Sequence, residues 1–261
     1  MLRVVLIGDL SMGDCYDRMA SLYHLIYLDW DESIVRQSAQ LASIIEERWG
    51  TEAKHILDVS CGIGTQAIGL AKRGFLVTAS DLSEAAVSRA RTEAQRRGAT
   101  IAFSVSDMRA AYTHHQRQFD AVISVDNCIT HLLNDDDLLL ALRQLYECTR
   151  PGGGCLLTVK DYDRANRETG PFEPFGIREE DGKRYIIFQV WDFVDHVYEL
   201  AMYFVVDDAT SGQLVTHVMR TKYNAIGRDD LMALMRRAGF TNVECLDACF
   251  YHPILIGNRE A

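Results

Sequence analysis

Apolar and polar positions change period several times along the chain. His55 to Val59 is a short, largely apolar run, the pattern of a buried strand. It runs into Cys61-Gly62-Ile63-Gly64, a tight glycine turn. Gln66 to Arg73 then takes helical spacing, with Ile68, Leu70 and Ala71 on its apolar side and Gly74 as its stop. Phe75 to Ser80 reads as a second strand and closes on Asp81. The unit is strand, glycine loop, helix, strand, acid, the phosphate- or nucleoside-binding half of a doubly wound sheet.

The same alternation continues. Ser83 caps a predicted helix from Glu84 to Arg97, and Gly98 ends it. Ile101 to Val105 is a third strand, closing on Ser106-Asp107-Met108, and Phe119 to Val125 a fourth, closing on Asp126-Asn127. Asn134 or Asp135 caps a Leu-rich helix over Asp137 to Thr149. Arg150-Pro151-Gly152-Gly153 turns the chain into a fifth strand, Cys155 to Lys160. Strands alternating with helices predict a mostly parallel sheet covered on both faces.

Both flanks of this core break the rhythm. Asp14 to Gly50 is helical, interrupted at Asp29-Trp30-Asp31. Tyr16, Met19, Tyr23 and Tyr27 fall on one side of the first part, as a helix covering the core or as a cap over a ligand mouth. Residues 161–180 read as a polar loop. Three β-rich runs follow, at 185–193, 198–206 and 214–223, with turn signals at Asp195-His196 and 207–212: an antiparallel meander inserted after the fifth strand. A helix over Asp229–Ala238 and strands at 243–246 and 250–256 resume the sheet. The expected division is a leader of uncertain order (1–11), a helical cap (12–50), an α/β core (51–160 and 224–261) and an inserted lid (161–223).

Composition narrows the partners. The chain has 261 residues, is 48% hydrophobic and carries a net charge of −10. No basic stripe offsets that charge, so nucleic acid is not expected. The basic cluster Arg89, Arg91, Arg96 and Arg97 reads as a solvated helix face. The seven cysteines have no metal-ligand spacing, so no metal is expected, and they suit a reducing cytoplasm. No apolar run is long enough for a bilayer. Oligomerisation is left open.

The chemistry gathers at the glycine loop. Gly62 and Gly64 let the backbone turn and let a ligand approach it. The helix beyond has free N–H groups. Asp81 lies 19 residues after Gly62, at a strand end, where its two oxygens suit two ribose hydroxyls. Gly62-x-Gly64-x-x-Ala67 also satisfies a dinucleotide fingerprint, which keeps an NAD-dependent oxidoreductase as a second reading. Asp58 argues against it, since an anion there repels a pyrophosphate. A non-catalytic binding protein on the same fold is a third.

The chain resembles the class I S-adenosylmethionine-dependent methyltransferases, most of all their glycine and glycine/sarcosine N-methyltransferase branch. The residues that carry the resemblance are DVSCGIGTQAIGLA (58–71), TASD (78–81), SDMR (106–109), FDAVISVDNCITHL (119–132), RPGGG (150–154) and VKDYD (159–163). It implies a Rossmann-like seven-stranded sheet with S-adenosylmethionine as cofactor. Asp58, Gly62 and Gly64 would hold its methionine end, Asp81 its ribose, and Leu82, Asp107 and Met108 its adenine. Asp126, Asn127 and His131 would line the place where methyl donor and acceptor meet. Tyr16, Tyr27 and Arg36 match cap positions, and Tyr203 and Tyr223 match aromatic positions near the acceptor.

The resemblance implies methyl transfer to a small polar molecule, most readily at an amine nitrogen, with an oxygen acceptor as the alternative. No catalytic base is obligatory, and His131 is the candidate. Lys160 departs from the branch, which has Arg in an (H/V)R(N/D)YD segment; Arg clamps a carboxylate with two parallel bonds and Lys does not. A small anionic acceptor between Asn127, Lys160 and the meander tyrosines, with Arg178 as a second cation, is the expectation that follows.

Overall fold

The computed structural model describes residues 3–5, 12–162 and 171–261. The rest of the expected leader, and Asp163 of the VKDYD segment, lie outside the described residues. In chain order the elements begin with β1 (Arg3–Val5), α1 (Met12–Met19), a 3-10 turn (Tyr23–Ile26) and α2 (Trp30–Trp49). The core follows as β2 (His55–Asp58), α3 (Thr65–Lys72), β3 (Leu76–Asp81), α4 (Glu84–Arg96), β4 (Ala102–Val105), α5 (Ala111–His115), β5 (Phe119–Ser124), α6 (Asp135–Cys148) and β6 (Thr149–Thr158). Four long strands come next: β7 (Phe172–Glu180), β8 (Lys183–Val194), β9 (Val197–Asp208) and β10 (Gln213–Asn224). The chain closes with α7 (Arg228–Ala238), β11 (Thr241–Leu246) and β12 (Ile254–Asn258).

The first sheet has seven strands in the order β11-β12-β6-β5-β2-β3-β4. Its pairs from β6 to β4 are parallel, and β12 and β11 join antiparallel. Strand β2 is central because Ile56 and Leu57 face opposite sides and both are fully buried. The order reverses between β2 and β5, which opens a crevice at the strands' carboxyl ends. The Arg150–Gly153 turn lies within β6, as a register shift against β5 between Phe119 and Ala121. No helix among the described residues is long and apolar enough to cross a membrane.

The second sheet is antiparallel in the order β10-β9-β8-β7, and β1 adds to β10 in parallel. Residues 172–180, expected as loop, are therefore a strand. β7 is a bulged edge strand, shifted in register between Pro174 and Gly176, and most of its residues are exposed. An edge strand that buries so little writes no apolar alternation.

The cap is clamped to the core. Its α2 crosses α3 so closely that a Cβ on Gly69 would come within 2.6 Å of the Ile34 carbonyl oxygen. Arg89 of α4 donates to the carbonyls of Ala20 (2.8 Å) and Ser21 (2.5 Å). Arg97 lies 4.5 Å from the Trp30 ring centroid, pairs with Asp31 and Glu93, and is only 9% exposed. The solvated basic face read from the sequence is thus corrected for these two: arginines on one helix face also serve to bind a neighbouring helix. Asp17 of α1 accepts from Ser83 Oγ (2.5 Å) and from the Ala85 amide (3.0 Å), so the cap completes the N-terminus of α4.

Candidate active site

A cleft of about 900 Å³ lies over the carboxyl ends of β2, β3, β4 and β5. The glycine loop forms its floor. Gly62 has φ +51° and Gly64 φ +94°, a left-handed conformation that side chains rarely adopt. Gly62 lines the cleft. Gly64 sits behind it, where a Cβ would meet Ile68 at 2.9 Å and Ala90 at 3.3 Å, so its role is to let α3 start close to α4 rather than to touch a ligand.

Two carboxylates meet at the loop. Asp81 accepts from the Gly62 amide through Oδ2 (2.8 Å) and from the Ser83 amide through Oδ1 (2.9 Å), and it lines the cleft. Burial pushes its carboxyl above the usual range, against the pull of those amides. Asp58 lies under the loop, 1% exposed. Its Oδ1 accepts from the Ser60 amide at 3.2 Å, and Oδ2 has no partner. Burial, with a smaller push from Asp81, raises its carboxyl to about 7. A buried oxygen without a donor calls for a cation or a donor from outside the chain.

The far end carries Leu82, Asp107 and Met108. Burial works against the Asp107 charge, but the Arg109 bonds (2.7 Å to Oδ2) outweigh it and hold the carboxyl below its ordinary value. Arg109 also reaches Asp137 at 3.2 Å, so the corner is braced before any ligand arrives.

The near end is aromatic. Tyr16, Tyr23 and Tyr27 roof the cleft beside Asp126, Cys128 and His131. Asp126 and Asn127 both have left-handed backbones (φ +64° and +63°), which Asp and Asn tolerate best. His131 Nδ1 lies 3.1 Å from the Lys222 carbonyl oxygen, so that nitrogen carries the proton and donates. Its Nε2 then accepts from the Tyr16 hydroxyl at 2.8 Å, and Tyr16 in turn accepts from Tyr223 at 3.0 Å. Burial pulls the imidazole down to about 4. His131 is therefore neutral, with both nitrogens engaged.

A second cavity, about 950 Å³ with its open mouth, adjoins the first and shares Tyr16, Tyr23, Tyr27 and Asp126 with it. Strands β8 to β10 supply much of its wall through Gln189, Tyr198, Leu200, Met202, Met219 and Tyr223. Tyr198 stacks on Tyr223 with centroids 5.0 Å apart. Arg36, Asn127, Lys160, Glu173 and His252 line it as well. Asn127 is largely engaged in structure: its Oδ1 accepts from the Lys160 amide (2.9 Å) and its Nδ2 donates to Tyr162 (2.6 Å). The Lys160 ammonium is 3.8 Å from Glu173 and 3.9 Å from the Trp191 ring centroid. Burial lowers its affinity for the proton, and Glu173 and Asp126 oppose that.

Two expected acceptor residues lie elsewhere. Arg178 donates to the carbonyls of Tyr27 (2.7 Å), Ile177 (2.9 Å) and Phe175 (3.0 Å), tying β7 to the cap. Tyr203 stacks on Phe188 at 4.7 Å, away from the cavity. Strand alternation explains the second case: Tyr198, Leu200 and Met202 share the cavity side of β9, and odd-numbered Tyr203 takes the other. Counting by two from Leu200 would have found Tyr198. The other missed residues, Tyr23, Glu173, Gln189 and His252, had weaker signals: Tyr23 stood in the cap series, Glu173 sits where the chain reads as loop, and His252 lies in the run that reads as the last strand, which begins only at Ile254.

Comparison with known proteins decides the class of the cleft. Residues 56–153, the segment that builds its floor, match the family described as a methyltransferase domain. Residues 56–153 are therefore a class I S-adenosylmethionine-dependent methyltransferase domain. The match removes the dinucleotide oxidoreductase reading. The glycine/sarcosine N-methyltransferase of Aphanothece halophytica is 32% identical over 137 residues, 51% of this chain and 52% of that one. The chain thus spans about half the length of the curated relatives it matches. Among solved structures, Streptomyces venezuelae DesVI superposes with a TM-score of 0.81 at 21% identity, covering 93% of this chain and 98% of that one. CalS10 of Micromonospora echinaspora, described as an amino pentose methyltransferase with its cofactor bound, superposes at 0.77 with 19% identity, covering 97% and 100%. Both share the whole fold with the methyltransferase domain and the strands inserted in it.

The cleft fits the cofactor of this family. S-adenosylmethionine ends in an ammonium, and Asp58 Oδ2 is a buried oxygen that lacks a partner. Asp81 would take the ribose, and Leu82 and Met108 would flank the adenine. The aromatic end, where Tyr16, Tyr23 and Tyr27 gather, would face the sulfonium, since ring faces and hydroxyl oxygens favour a cation.

Proposed function

We propose that the protein transfers a methyl group from S-adenosylmethionine to an amine nitrogen of a small polar molecule larger than glycine. The observation that carries this reading is the wall common to the two cavities. Asp126 and the three cap tyrosines line both, so the acceptor cavity opens on the cofactor cleft at a carboxylate. A carboxylate at that point attracts an ammonium-bearing acceptor and repels an anionic one. Glu173 adds a second negative group, bonded by Gln189. The anionic acceptor expected from Lys160 is less well supported, because Glu173 and the Trp191 ring already face that ammonium.

Size supports the larger acceptor. A cavity of about 260 Å³, walled partly by Phe175, Leu200, Met202 and Met219, has room for more than glycine. The names of two similar proteins agree in kind, one with nitrogen methylation and the other with an amino sugar, while others name oxygen methylation.

The donor supplies an activated methyl on sulfur and departs as a neutral thioether, so no acid is required. The chain's task is alignment. Well-oriented reactants can gain roughly 7–11 kcal/mol over free encounter. Tyr16, fixed between His131 and Tyr223, sets the position of the roof at the methyl end.

The test is methyl transfer from label-bearing S-adenosylmethionine to glycine, sarcosine and D-glucosamine, with the labelled position read by mass spectrometry. Nitrogen methylation favouring D-glucosamine is expected. Label at oxygen, or no transfer to any amine while the cofactor binds, would refute the reading.

A further inference from the structure

His131, the base candidate of the sequence, cannot readily take a proton. Its Nδ1 already donates to Lys222 and its Nε2 accepts from Tyr16. An ammonium acceptor held by Asp126 still has to lose a proton before its nitrogen can attack. The Asp126 charge works against that loss, since an opposite charge stabilises the protonated amine. A group that is itself neutral is needed nearby.

His252 meets the requirement. It lies in the link between β11 and β12 and lines the acceptor cavity beside Asp126. Its ring hydrogen-bonds the Tyr251 backbone, a contact that favours the protonated form, and its centroid lies 4.6 Å from that of the Tyr251 ring. The charged groups that act on it come from three other elements, Asp126 after β5, Lys160 after β6 and Glu173 of β7, and Arg36 of α2 lines the same cavity. Burial lowers its affinity for the proton, Asp126 and Glu173 raise it, and Lys160 lowers it again.

We propose that His252 is the proton acceptor for the bound ammonium. The proposal rests on the amine reading above. In the step, an N–H bond of the ammonium breaks and its proton moves to an imidazole nitrogen, leaving the electron pair on the acceptor. That pair then forms the C–N bond while the methyl carbon–sulfur bond breaks and its electrons return to sulfur. The methylated ammonium leaves, and His252 returns its proton to water.

The pH profile separates this role from a structural one. With His252, the acceptor binds as the ammonium, so kcat/KM levels off once the imidazole is neutral. Without it, the acceptor must arrive already deprotonated, and kcat/KM climbs about tenfold per pH unit up to the acceptor's own pKa. The experiment uses the full chain with D-glucosamine and glycine as probes, comparing wild type with His252→Gln and His252→Ala, and calorimetry with S-adenosylhomocysteine checks that each variant is folded. The expected result is a plateau in wild type, a continuous climb in both variants, and recovery of His252→Ala by added imidazole. A plateau retained in either folded variant overturns the proposal and leaves the amine reading standing. Absence of nitrogen methylation by wild type overturns the amine reading, and this proposal with it.

Discussion

Replacing Asp58 with Asn should stabilise the ligand-free protein and weaken its hold on the cofactor. A free Asp titrates near 3.9, and burial raises this one to about 7. Between those values the folded chain holds a proton that the unfolded chain releases. Stability therefore falls as pH rises through the window, and the loss is complete above the folded value. Three units at about 1.4 kcal/mol each give a ceiling near 4 kcal/mol. Asn removes that charge penalty but places an amide N–H₂ where Asp58 Oδ2 finds no partner, a cost of about 1–3 kcal/mol. The net gain at pH 8 should be about 1–3 kcal/mol, shrinking and then reversing towards pH 4, where wild type is neutral as well. Urea unfolding of both proteins at unit pH steps measures it. S-adenosylhomocysteine titrated into each should bind the variant more weakly, since its ammonium loses an anionic partner. A stability difference that stays constant from pH 4 to pH 8 would refute the reasoning.

Asp81→Ala should weaken S-adenosylhomocysteine binding by at least tenfold in calorimetry, because the carboxylate both faces the cleft and accepts the Gly62 and Ser83 amides; unchanged affinity in a folded variant would remove Asp81 from the site. Arg89→Ala should free the Ala20 and Ser21 carbonyls and cost about 1–3 kcal/mol in thermal or urea unfolding, with faster cofactor dissociation in stopped flow. Lys160→Met should lower the KM of an ammonium acceptor several-fold by leaving Glu173 without its cation, at constant cofactor affinity; a rise in KM would point instead to an anionic acceptor.

The core was legible because its central strands β2, β5 and β6 are largely buried and its strands end in chemically marked residues. Asp58, Asp81, Asp107 and Asp126 each stand at or just past a strand's carboxyl end, so the pattern that placed the strands also placed the acids. Signals weakened where the chain leaves the sheet. β7 is a bulged edge with little to bury, and it carries Glu173. His252 sits in the link to the last strand, which begins at Ile254 rather than at Phe250. Whether a meander tyrosine faces the cavity depends on one-residue parity, and on β9 that parity favours Tyr198 over Tyr203. Arg178 looked free in sequence because its partners are backbone carbonyls, which no residue identity reveals.

Tyr16 and Asp17 are consecutive residues of α1, yet they grip different parts of the core around the cleft. Asp17 completes the start of α4 next to the Asp81 corner, and Tyr16 joins His131 and Tyr223 at the methyl end. One short helix is thus a two-point clasp beside the cofactor cleft. If it lifts, both grips fail together, and while it stays down neither end of the nucleoside can leave alone. The dwell time of the spent cofactor then belongs to the clasp rather than to any single contact with the ligand. Weakening either grip should shorten that time by a similar factor, although the two residues touch different chemistry.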